Sequence, residues 1–194
     1  MTTRSFIARP TPAGYTGVYV HFDGTPASKL PLLLAAFQYR FGHSADAMAR
    51  HLVDDVAVGW DELGSDLLGS APPEIVAPLT GGEPWPSRTL DDLITTDGSP
   101  VRMTVTEATA IDMDLQWGYV LHPEGIEVIA LLTYERGPLV GWDTHPLSLI
   151  SNDPVHWHPD RPAPVNAPRP APKLTTTAPA PTANRAPQRT PTRR

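Results

Sequence analysis

The sequence predicts an α+β domain: an antiparallel sheet from N- and C-terminal strands, with two main helices packed on one face. Three observations predict it. Strand-like segments lie at both ends of residues 1–150, two segments of helical period are grouped between them, and no alternating strand–helix repeat occurs. The chain of 194 residues is about one domain long. Eleven of its 24 prolines follow Ser151, which divides it into a single domain over 1–150, a linker over 151–160 and a disordered Pro-rich basic tail over 161–194.

Arg4–Arg9 and Tyr15–Phe22 read as two strands joined by the Pro10-Thr11-Pro12-Ala13-Gly14 turn cluster, a hairpin closed by Asp23-Gly24. Ser28 is positioned to cap a helix through Phe41. Pro31 lies in its first turn and Gly42 at its stop, and Leu30, Leu33, Leu34, Phe37 and Phe41 form its apolar stripe. Ser44 caps a second helix, to about Val56, with Asp46 in the first turn and Arg50 four residues on. Between Gly59 and Pro100 the periodicity loosens, leaving short helical pieces near Trp60–Leu68 and after Ser87. Beyond it, Val101–Thr106, Leu115–Leu121 and Ile126–Tyr134 read as strands, with turns at His122–Gly125 and Arg136–Pro138 before Leu139–Trp142.

The first 160 residues hold eight cations against twenty-one acids, a formal −13; residues 161–194 hold seven cations and no acid. An acidic body argues against nucleic-acid binding by that body and leaves polyanion binding to the basic tail. Lysine stands only at positions 29 and 173 beside thirteen arginines, the composition of a GC-rich genome. With no cysteine, disulfide scaffolds, thiolate metal sites and cysteine nucleophiles are excluded. The N-terminal segment lacks the apolar stretch of a secretory signal, and no run is long enough to span a bilayer; a cytoplasmic protein with no membrane partner is expected.

Thr3-Arg4-Ser5, then Tyr19-Val20-His21-Phe22-Asp23-Gly24 with Pro26, and later Trp117-Gly118-Tyr119-Val120-Leu121 resemble a family of small bacterial and phage proteins. Those begin Met-Gly-Thr-Arg-Ser and continue to a His-Trp-Asp-Gly-Tyr-Pro segment. The resemblance spans about residues 1–145 through a dozen positions, with Thr2 in place of Gly, Phe22 of Trp and Thr25 of Tyr. It implies a phage or mobile-element origin and an outline of the fold, and brings no mechanism.

His21 and Asp23, two apart, point to one side of an extended chain and form the main candidate site; the competing reading is a strand-ending turn with positive φ at Gly24. His51, four residues before Asp55 and following His43, completes that site if its helix packs over the strand end; otherwise it belongs to a solvated helix face. Trp85, between Pro84 and Pro86, is either a loop anchor for a partner or a lid over the core, and Trp60 and Trp142 are further candidates for exposure. Thr2 as an N-terminal nucleophile and His156/His158 as weak metal ligands are minor candidates, outweighed by ordinary initiation chemistry and by the linker reading. No phosphate loop, dinucleotide fingerprint, nucleophile elbow or metal signature occurs, so no cofactor is expected. The expectation is a non-enzymatic interaction or regulatory protein binding an unknown protein or small ligand through His21, Asp23, His51 and Trp85. The alternatives are a metal-dependent or His/Asp hydrolase, and polyanion binding by the tail.

Overall fold

A computed structural model describes residues 3–90, 96–133 and 135–168. The expected tail therefore lies, from residue 169 on, outside the described residues, as does most of the helix expected after Ser87; Arg88–Thr89 is a short strand instead.

Strands β1 (Ser5–Thr11) and β2 (Gly14–Val20) form the expected hairpin, Ser5 opposite Val20 and Thr11 opposite Gly14. β1 is central. Phe6, Ile7 and Ala8 are all buried, a continuous run that marks a strand covered on both faces. Its other neighbour is β6 (Trp117–His122), and the pair is parallel, Ile7 level with Tyr119. β3 (Trp60–Glu62) also runs parallel to β2, through Val20 and Trp60. The sheet is therefore mixed, and the antiparallel expectation is corrected. The connection from β2 to β3 and the long stretch that brings β6 beside β1 are crossovers, so β3 runs with β2 and β6 with β1.

β4 (Arg88–Thr89) pairs with β3, and β5 (Thr104–Thr106) pairs with β2 beside Thr16–Val18. β7 (Gly125–Ala130) and β8 (Glu135–Gly141) extend the sheet antiparallel beyond β6. Arg136–Pro138, expected as a turn, lies in β8, where the register slips opposite Glu127–Ile129. Arg136 donates to Glu127 from Nε and Nη2, both at 2.6 Å, and His122 Nε2 lies 2.9 Å from the same carboxylate; this cross-strand cluster offsets the burial of Glu127.

Helix α1 (Pro26–Ala35) starts at Pro26, not after Ser28, because proline fits the first helical position and Thr25 O accepts Ser28 N and Lys29 N. α2 (Ala45–Ala49) is capped by Ser44 as expected, its Oγ accepting Ala47 N. Both helices continue into a wide turn of i→i+5 bonds, Phe41 N to Ala36 O and Asp55 N to Arg50 O. Arg102 donates to the carbonyls of Asp54 and Val56 at the second of these ends, where a cation suits the helix dipole. A third helix, α3 (Pro73–Thr80), was not expected; Gly81 stops it in the left-handed conformation.

The main core lies between the sheet and the helices, from Ile7, Val18 and Tyr119 to Leu30, Leu33, Met48 and Leu52. A smaller core covers the other sheet face, where Phe6 stacks on Tyr15 with Tyr19, Val120 and Ile129 nearby. Residues 151–160 are not a linker. Trp157 is fully buried in the main core, edge-on to Trp117, and donates to Ser151 O. Around it β9 (Leu149–Ile150) pairs with β10 (Val165–Asn166), and Asn152 Oδ1 accepts Ala27 N of α1. The packed unit thus runs past 150 to the end of the described chain. Among the described residues no helix is long and apolar enough to cross a membrane.

Candidate cavity at the start of helix α1

The site begins where β2 ends. His21 N and Phe22 N donate to Trp60 O and Asp61 O, carrying the chain along β3. Asp23 then takes φ +53°, a conformation that Asp tolerates better than most residues, and so reverses the chain toward α1. Gly24 is required next to it: its N–H donates to Thr3 O, and a Cβ would come within 2.7 Å of that oxygen and 2.8 Å of Ser5 Cβ. Tyr119, fully buried, donates its hydroxyl to Gly24 O at 2.7 Å, and burial holds that phenol well above its ordinary pKa. The loop is therefore fixed from the sheet below.

Asp23, the first turns of α1, Leu63 and Leu68, Pro78 and Leu79 of α3, and Trp85 enclose a cavity of about 300 Å³, at the small end of typical ligand sites. Lys29 lines it. The residue is only 2 % exposed, yet its ammonium group hydrogen-bonds or ion-pairs with no described residue. Burial pulls its pKa from 10.5 to about 8, while Asp23 and Glu62, acting from a distance, pull the other way. The nitrogen keeps a small accessible area, and holding a largely desolvated charge there without a partner is costly.

Trp85 forms the outer wall and is held rigidly. Ser65 N and Oγ both donate to Trp85 O, Trp85 N donates back to Ser65 Oγ at 2.9 Å, and the indole N–H donates to Leu63 O. Asp66 accepts Ser87 N and Oγ at 2.6 Å each, and Arg40 donates to Asp66 from behind. Burial alone would raise the Asp66 carboxyl; the bonds from Ser87 and Arg40 outweigh it and hold the pKa below the usual value. Gly64 makes the approach possible, since a Cβ there would lie 2.3 Å from the Pro86 carbonyl carbon.

The structure thus brings Asp23 and Trp85 to one cavity and leaves His21 and His51 elsewhere. His21 shares a face with Tyr19, whose hydroxyl lies 2.8 Å from Nδ1, toward the smaller core. His51 packs against Phe41 and Trp60 on the helix side, with Arg40 Nη2 3.4 Å from its Nε2. Burial, then the Arg40 charge, lowers its pKa, and Nε2 faces the Arg40 guanidinium. Trp60 and Trp142 are buried rather than exposed, Trp142 stacked on Phe37. Among the described residues no three His, Asp or Glu side chains gather closely enough to hold a metal ion.

Lys29 escaped the sequence reading, although one signal was present. It stands four residues before Leu33, on the apolar stripe of α1, in a chain nearly devoid of lysine. No family model, curated protein or solved structure matches the chain.

Proposed function

We propose that this is a non-enzymatic regulatory protein that binds a small, largely apolar ligand in the α1 cavity. The observation that carries the reading is the unpartnered Lys29 ammonium on the cavity wall. Leu32, Leu68, Leu79 and Trp85 offer apolar surface, and Lys29 offers a single donor group for a carbonyl or hydroxyl oxygen. Asp23 on the wall and Glu62 nearby make the site poor for an acid, so the ligand is an uncharged molecule. Of the two partner classes expected from sequence, the enclosed cavity favours the small ligand over a protein.

Titration of the full chain with hexanol and with cyclohexanone, followed by tryptophan emission, tests this. A saturable change that is lost in Trp85→Phe supports the reading. No saturable change and no shift in melting temperature with either compound overturns it.

A further inference from the structure

We infer that Lys29 captures an aldehyde reversibly as an imine, its side-chain nitrogen being the reacting atom inside the α1 cavity. The inference rests on the small-ligand reading above and names the chemical class of the ligand. Three features of the site converge on it. The side chain is almost wholly buried, its nitrogen keeping only a small accessible area, so an adduct formed there is largely shielded from bulk water. No hydrogen bond or ion pair with a described residue occupies the nitrogen, which leaves its lone pair available once a proton is lost. Burial favours the uncharged amine over the ammonium, and the apolar half of the wall, from Leu32, Leu63, Leu68, Leu79 and Trp85, admits an alkyl or aryl chain behind the carbonyl.

The charge pattern also selects the electrophile. Asp23 from the β2–α1 loop and Glu62 from β3 are the charged groups acting on Lys29. α3, the Leu63–Leu68 segment and Trp85 contribute only uncharged side chains to the wall. A keto acid would meet two carboxylates against one ammonium, whereas a neutral aldehyde meets no such penalty. In the reaction the neutral nitrogen attacks the carbonyl carbon, and the C=O π pair moves to oxygen. A proton passes from nitrogen to that oxygen, and water then leaves as the C=N bond forms. One aldehyde and one amine give one imine and one water, with no change in oxidation state. Asp23, the other titratable side chain on the described wall, is the group within the cavity that can relay the proton.

Lysine scarcity makes the test clean, because Lys173 and the terminal α-amine are the only other amines in the chain. The full-length protein is treated with hexanal and sodium cyanoborohydride at neutral pH beside free Nα-acetyl-lysine, and the adducts are mapped by peptide mass. With a lowered pKa and an ordinary lysine value near 10.4, Lys29 is expected to react about tenfold faster than the free analogue or more. The rate should level off near pH 8, and hexanol should protect. Adducts confined to Lys173 and the α-amine, or a Lys29 rate below that of the analogue, overturn the inference. If hexanol changes the Trp85 emission while Lys29 stays unmodified, the imine falls and the receptor reading stands; if both are silent, both fall.

Discussion

A lysine that has left water and gained no partner weakens the fold that holds it. Lys29→Met keeps the length of the side chain and removes the charge, and should stabilise the ligand-free protein by about 1–3 kcal/mol at neutral pH, measured by urea unfolding. The wild type should show the same effect through pH. Its folded pKa of about 8 lies below the 10.5 of the unfolded chain, so between those values the unfolded state binds more protons and stability rises with pH. The variant should lack that rise. Asp23 and Trp85 were legible as site residues because a strand-ending Asp-Gly and a Pro-flanked tryptophan mark loops. Lys29 was not, because its position on the stripe reads as the polar edge of an apolar helix until the cavity behind it is known. His21 and His51 misled for a related reason: spacing along the chain does not say which face of the sheet each will meet.

The segment Leu63–Ser87 behaves as a clasp that holds Trp85 against the cavity, with Asp66 at its centre. Asp66→Ala removes two bonds to Ser87 and one from Arg40. It should cost about 1 kcal/mol and shift Trp85 emission to the red, read as the difference from the same substitution in a Trp85→Phe background. Since the Asp66 pKa is held down in the fold, its contribution is present above the ordinary carboxylate range and is lost as pH falls through the lowered value. Acid below the ordinary carboxylate range should therefore loosen the clasp, while mild acid leaves it closed. On the opposite side, Tyr119→Phe leaves Gly24 O without its buried donor and should cost about 1–3 kcal/mol by thermal or urea unfolding. The hairpins were readable from alternation and turn residues, and the helices from their stripes and the Ser44 cap. The parallel β1–β6 pairing was not, since more than a hundred residues separate Ile7 from Tyr119 and no local pattern encodes the partner. The stretch 59–100 resisted for the opposite reason: its strands are two or three residues long, too short to show a period.

At the scale of the molecule, the boundary of the domain was the feature least legible in the sequence. Prolines suggested a linker, yet Pro154 opens a short turn that delivers Trp157 to the main core. Trp157→Ala should cost about 3–5 kcal/mol, the range for emptying a large aromatic site, measured by urea unfolding. Cutting the chain at 150 should abolish the cooperative transition. Trp157 has a bearing on synthesis as well. Every other large member of the main core is translated earlier, so a nascent chain reaches the ribosome exit with its interior unsealed until that indole emerges. A chain ending before that indole would leave the apolar surface it covers open to water.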